Sequence, residues 1–266
     1  MPSTRHPILQ GVIEDNEELI REGLKDPEWK MQRTAEGWTA CELIRLLDRT
    51  DLRYLLMPVK KKLFQVLLKG ESKSNYIPLN EFEKLFNFHY SDSLVFEDYE
   101  TLKQVQKECP YILRWKWLVK ENYERMQQFS WFISEGYTEE LIIGWINDKI
   151  GYGAFAARDI EAGTYIGTYT GEVRRLAWFN PDHNAYCFLY PTRWCGLRLY
   201  AIDGMRVGNE LRFMNHSSNP NVVPYCVIDR NLLHQIFCAK EKIPKGTELT
   251  WDYGRGYWKY REGEVY

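Results

Sequence analysis

Near Thr138 the apolar residues of this chain change their spacing, and that change limits the folds open to it. Upstream they recur three and four apart, as along one face of a helix. Downstream they fall in short runs rich in β-branched and aromatic residues: Leu141 to Ile146, Thr164 to Tyr169, Ala185 to Tyr190 and Leu233 to Ala239. Clusters of Gly, Pro, Asn and Asp separate these runs, as expected of strands joined by tight turns. The chain therefore reads as α+β, a helical N-terminal half followed by a mainly β half. Helix and strand are segregated, not alternating as in a doubly wound sheet.

Within the first half, residues 8 to 57 carry Ile13, Leu19, Ile20 and Leu24 on one face, then Leu43, Ile44, Leu46 and Leu47, then Leu52, Leu55 and Leu56. The two parts align at a shift of 33, with Asp15 on Asp48 and Leu19 on Leu52. Gly37-Trp38-Thr39-Ala40-Cys41-Glu42-Leu43 places a turn glycine before a threonine able to cap a helix. This resembles a worn ankyrin signature, and an ordinary helical hairpin reads the same way. Fewer than about three repeats are visible, so the segment must lean on something else. From 59 to 137 the pattern remains mainly helical, with a polar break at 70 to 78 and a long aromatic amphipathic stretch from Tyr111 to Phe132. Four units are expected: an ankyrin-like segment 1–58, a helical connector 59–137, a β domain 138–254 and an aromatic flank 255–266.

Lys and Arg number 35 against 37 Asp and Glu, a net charge of −2, which excludes a strongly basic nucleic-acid binder. Basic and aromatic residues do interleave from Arg114 to Lys120, where a core stripe with solvated lysines explains them more simply. No apolar run reaches the roughly 20 residues of a membrane span, and the first residues lack an export signal. Six dispersed cysteines without a CxxC pair fit free thiols in a reducing compartment and no zinc site. A cytoplasmic location follows from composition.

Three motifs carry chemistry. Gly151-Tyr152-Gly153-Ala154-Phe155-Ala156 fits GxGxxA, yet a turn and a strand come next, without the helix a dinucleotide site needs. Gly208 to Asn221 contains Arg212-Phe213-Met214-Asn215-His216-Ser217-Ser218-Asn219-Pro220-Asn221, a density of amide, imidazole and hydroxyl groups suited to a polar network beside a pocket. Lys245 to Gly254 then adds a turn, a strand and the aromatic pair Trp251 and Tyr253. In this order and spacing the three motifs resemble the SET domain of protein lysine methyltransferases over roughly residues 138 to 258.

That resemblance implies small sheets with a C-terminal pseudoknot, S-adenosyl-L-methionine as cofactor, and methyl transfer to a lysine amine in a protein substrate, histone tails among them. It implies that the main chain at Ile150, Gly151, Tyr152 and Gly153 meets the methionine end of the cofactor, and that Asn215 and His216 hold it near the adenine. It makes Tyr253 the catalytic tyrosine, also beside the cofactor, and puts Tyr186 with Trp251 along the lysine channel. Ordinary strand packing competes for Tyr186. The sequence departs from the family in two places. Ser218 stands where many members have cysteine, and the tail from Arg255 to Tyr260 lacks cysteine, so the zinc-bound closure is excluded. Trp258 is then the candidate to stack on adenine, with Tyr257 and Tyr260 as rivals. Trp251 stands where Phe or Tyr tunes methylation multiplicity: lacking a phenol it favours di- or trimethylation, while its bulk would restrict the pocket.

A SET fold retained only as a silent interaction module, with the ankyrin-like hairpin as its working surface, is the alternative to an enzyme. The segment 138–266 holds 15 acidic and 15 basic residues, so no overall acidic field draws in a histone tail. An ankyrin-like partner beside a SET domain without zinc cysteines also resembles bacterial proteins, including secreted effectors that act in a host nucleus.

Overall fold

The structure, a computed structural model, describes residues 6–57, 62–109, 116–176, 184–190 and 200–258. Trp115 and Tyr260 lie outside the described residues, as does the side chain of Trp117.

Residues 7–56 are mainly helical, as the spacing predicts. Pro7–Glu14 and Glu17–Gly23 form one hairpin, and Ala40–Leu46 with Thr50–Leu52 and Arg53–Leu56 forms the next. Thr39 closes the first turn of its helix with Glu42 in a reciprocal capping box. The aligned pair Asp15 and Asp48 both take left-handed backbone, φ 56° and 49°. In both, the next amide bonds the carbonyl five residues before it: Asn16 N to Gly11 O at 2.8 Å and Arg49 N to Ile44 O at 2.9 Å. The two halves thus share a helix-terminating turn, a geometry that the ankyrin-like and the plain hairpin readings both require. Their apolar faces, Ile8, Leu9, Ile20, Leu43 and Ile44, are fully buried.

The segment 59–137, expected to be a mainly helical connector, also contributes strands. Leu63–Leu67 and Asn75–Pro78 are strands, and they continue a sheet of four with Leu141–Asn147 and Gly151–Ala156. Leu63–Leu67 runs parallel to Leu141–Asn147, with Gln65 opposite Ile142. The sheet therefore crosses the boundary expected at 138. Helix Leu79–Phe86 follows, with Phe82 stacked on Phe64 at 3.9 Å and edge-on to Phe86, Phe88 and Phe213. Helix Tyr99–Glu108 and the long helix Lys116–Glu135 complete the connector. Within the aromatic stretch Phe129 is buried while Trp131 is 60% exposed.

The second half is built of short strands in small sheets. Val222–Asp229, Leu232–Ala239 and Tyr165–Tyr169 form one sheet; Glu172–Arg175, Tyr200–Asp203 and Cys187–Tyr190 form another. Leu232–Ala239 is buried at every position, which explains its near-continuous apolar run. The turn before it, Arg230–Asn231, uses positive φ at both residues, 45° and 60°. Its Arg230 lies 3.9 Å over the Trp38 ring and pairs with Glu42 at 2.7 Å, joining the N-terminal helices to the β half. Arg45 and Arg53 share Asp92 in a second junction. Among the described residues no helix is long and apolar enough to cross a membrane.

Candidate active site

Asn215–His216 and Thr250–Trp251 form a two-stranded parallel pair, with Asn215 opposite Thr250 and His216 opposite Trp251. Asn221 fixes that register from the side: its Nδ2 donates to Glu248 O at 2.8 Å and its Oδ1 accepts from Thr250 N at 2.9 Å. A further tie runs from Ser217 N to Trp251 O at 3.1 Å. Tyr253 N then donates to His216 Nδ1 at 3.2 Å, which puts the proton of the neutral ring on Nε2. The phenol of Tyr253 donates to Met214 O at 2.8 Å. Residues almost forty apart in sequence thus interlock through backbone and side chain.

The glycine motif joins the same place. Gly151–Ala156 is a strand and not the turn its glycines suggest, and Leu249 N donates to Ala154 O at 2.7 Å. Asn215 Nδ2 donates both to Glu248 Oε1 at 2.8 Å and to Tyr152 O at 3.3 Å. One side chain therefore ties all three motifs. Gly153 permits this approach, since a Cβ there would meet Ile146 Cδ1 at 2.7 Å, Glu248 Oε1 at 2.8 Å and Asn215 Nδ2 at 3.1 Å. Gly151 differs: its φ is +83° and a Cβ would meet nothing within 4 Å, so the backbone borders open space. Ile150 beside it is 39% exposed. The Tyr152 ring points into an aromatic cluster, edge-on to Phe86 at 4.9 Å and Trp145 at 5.2 Å, which leaves only its main chain toward Asn215.

Aromatic rings line the other side. Trp251 stacks on Phe188 at 4.8 Å, meets Phe237 edge-on at 5.4 Å and lies 4.7 Å from Tyr253. Trp258 packs edge-on against His216 at 4.9 Å and nearly parallel to Tyr253 at 6.3 Å, while Tyr257 meets Tyr253 at 4.5 Å. Tyr186 joins less directly. Its ring faces the Arg212 guanidinium at 4.3 Å, and its carbonyl accepts the Tyr169 hydroxyl at 2.7 Å. Burial holds the Tyr169 phenol well above the usual range, with Arg212 opposing and Tyr253 adding to the shift.

Phe188, Tyr169, Glu248 and Asn221 belong to this site although the sequence alone assigned them no role. Phe188 was within reach of the sequence pattern, since it alternates with Tyr186 and Tyr190 along a strand. Among the described residues no group of His, Cys, Asp and Glu could hold a metal ion.

A family model described as SET domain matches residues 151–254, the span from the glycine strand through Tyr253. The chain carries a SET domain. N-lysine methyltransferase KMT5A-A of Danio rerio is 29% identical over 140 residues, covering 50% of this chain and 40% of that protein. Histone-lysine N-methyltransferase trr of Drosophila melanogaster is 34% identical over 152 residues, 54% of this chain and 6% of its own length. The chain thus spans less than half of either relative. A solved structure of KRYPTONITE in complex with mCHH DNA, H3(1-15) peptide and SAH shares 33% identity over 44% of this chain and 23% of its own, with a TM-score of 0.37. The SET domain here adds strands from 63–78 to the sheet that holds its glycine motif.

Proposed function

We propose that this SET domain transfers a methyl group from S-adenosyl-L-methionine to the side-chain amine of a lysine in a protein substrate, with histones the substrate class. The observation that carries the reading is the convergence on Asn215 of the glycine strand, the Asn215–His216 strand and the segment bearing Tyr253. The residues present fit the cofactor. Open space borders the Gly151 backbone, the Asn215 contacts use its amide nitrogen and leave Oδ1 to accept, and Trp258 stands beside His216 as a stacking surface. When bound, the cofactor supplies an electrophilic sulfonium methyl group.

The chain itself must supply a neutral amine, correctly aimed. Lysine's reference pKa is about 10.4, so the channel must disfavour the ammonium form. The Trp251, Phe188 and Phe237 rings exclude water and offer no counter-charge. With its proton committed to Met214 O, the Tyr253 oxygen presents its lone pairs, able to accept an N–H of the amine or polarised C–H groups. Holding the amine in line with the methyl group converts an encounter into an intramolecular step. Trp251 brings no hydroxyl to retain water in the channel, which supports di- or trimethylation.

The test is transfer of tritium from labelled S-adenosyl-L-methionine to core histones. Wild type labels a lysine, and Tyr253→Phe binds the cofactor yet transfers at least about a hundredfold more slowly. Cofactor binding by the wild type without transfer to core histones or to any protein of a cell lysate would leave a silent interaction module.

A further inference from the structure

Arg212 is the conspicuous uncompensated group of the described molecule. Its guanidinium lies between two rings, 4.4 Å from the Phe88 centroid and 4.3 Å from that of Tyr186. Its Nε and Nη1 are buried without a hydrogen-bond partner. Nearby carboxylates are committed elsewhere: Glu210 to Lys62 at 2.7 Å and to the Tyr90 hydroxyl, and Asp203 to Arg174 at 2.6 Å and to Asn184. Leaving two buried guanidinium nitrogens without a partner in such surroundings is costly and calls for a reason.

Position supplies one. Arg212 stands three residues before Asn215 in the 3-10 helix Glu210–Phe213 and covers the face of Tyr186. The Tyr186 carbonyl holds the Tyr169 hydroxyl, whose titration burial raises and the Arg212 charge opposes. The titratable groups facing this corner are Tyr169, Tyr186, Tyr253, Cys187 and the already paired Asp203; burial raises the Cys187 thiol to about 12, so it stays neutral. Among the described residues Arg212 is thus the charge without a carboxylate partner at the Tyr186 ring. Phe88, the other face of the sandwich, comes from outside the matched domain.

We infer that Arg212 is a positioning residue that also acts electrostatically. Clamped between Phe88 and Tyr186, it fixes the Tyr186 ring and sets a permanent positive charge beside the channel that favours the neutral amine of an incoming lysine. This inference rests on the lysine methyltransferase reading of the site. A unit charge acting over about 10 Å through an effective dielectric of about 20 moves a neighbouring titration by about one pH unit.

Two experiments separate the inference from the reading it rests on. In the pH profile of transfer to core histones, Arg212→Met, which keeps bulk and loses charge, should move the acid limb up by about one pH unit; Arg212→Lys should leave the limb in place while slowing transfer. An unshifted limb in Arg212→Met overturns the electrostatic role. Absence of any transfer by the wild type overturns the methyltransferase reading and the lysine role together. Independently of turnover, the Arg212 Nε–H resonance in arginine-labelled protein, assigned by its loss in Arg212→Lys, should be shifted upfield by the two rings and exchange slowly. Each of Phe88→Leu and Tyr186→Leu should remove part of that shift. An unshifted, rapidly exchanging Nε–H refutes the clamp whether or not the protein is active.

Discussion

Replacing each glycine of the 151–153 motif by alanine separates backbone strain from crowding at the site. At Gly153 the added methyl would sit 2.8 Å from Glu248 Oε1 and 3.1 Å from Asn215 Nδ2, the two ends of one 2.8 Å hydrogen bond, and 2.7 Å from Ile146 Cδ1. Crowding a packed site costs about 1–3 kcal/mol, and losing a bond to a charged carboxylate adds about 1.5–3 kcal/mol. Partial relaxation of the Ile146 end makes about 3 kcal/mol the expected destabilisation of Gly153→Ala. At Gly151 there is nothing to strike, and only the positive φ of 83° is penalised, by about 1–2 kcal/mol. Urea unfolding with an unchanged m-value measures both losses. Titration calorimetry with S-adenosyl-L-methionine should show Gly153→Ala weakened at least tenfold, because Asn215 is displaced. Should Gly153→Ala prove no less stable than Gly151→Ala, and bind cofactor like wild type, the packing account of the motif is wrong.

Asn221→Ala removes both side-chain ties to the 248–250 backbone and should cost about 2 kcal/mol; hydrogen exchange must show the Thr250 amide losing protection. Stability should also fall in mild acid. His234 is buried with Nε2 unpartnered, and burial lowers its pKa to about 4, partly offset by Asp229. An imidazole depressed in the folded state stabilises fully above its unfolded value of 6.5 and loses that contribution as pH falls toward 4, by about 3 kcal/mol. Denaturation midpoints between pH 7 and 4 should fall less steeply in His234→Leu than in wild type. Arg230→Ala breaks the stack on Trp38 and the 2.7 Å pair with Glu42, so limited proteolysis should cut the helices of residues 7–57 faster while the SET domain persists.

The features legible in the sequence were local. The Thr39 cap, the turns at Asp15 and Asp48 and the three ordered motifs mark real features of the structure, whereas the period change near 138 does not mark where strands begin, since the sheet already contains Leu63–Leu67 and Asn75–Pro78. Leu63-Phe64-Gln65-Val66-Leu67 was misleading because five residues are too few to separate helix from strand. Phe64 and Val66 face inward, an alternation that has meaning only once Ile142 and Ile143 lie alongside. Tyr186 was placed by resemblance, yet its ring is held by Arg212 and its carbonyl by Tyr169, partners 26 and 17 residues away on different elements. The Trp251 wall needed Phe188 and Phe237 from two further strands.

The strand Leu63–Leu67 has a consequence for how the molecule can be divided. Its parallel neighbour Leu141–Asn147 also borders the glycine strand, so Leu63–Leu67 and the proposed cofactor-facing motif flank one shared strand. A fragment beginning at 138 would keep every recognisable motif and still expose a raw sheet edge at Ile142, Ile143 and Gly144, inviting self-association. Parallel pairing across so long an intervening chain also forms late, since loop closure must precede it. The smallest unit able to mature on its own therefore begins before residue 63, and heredity of motif and autonomy of folding part company in this protein.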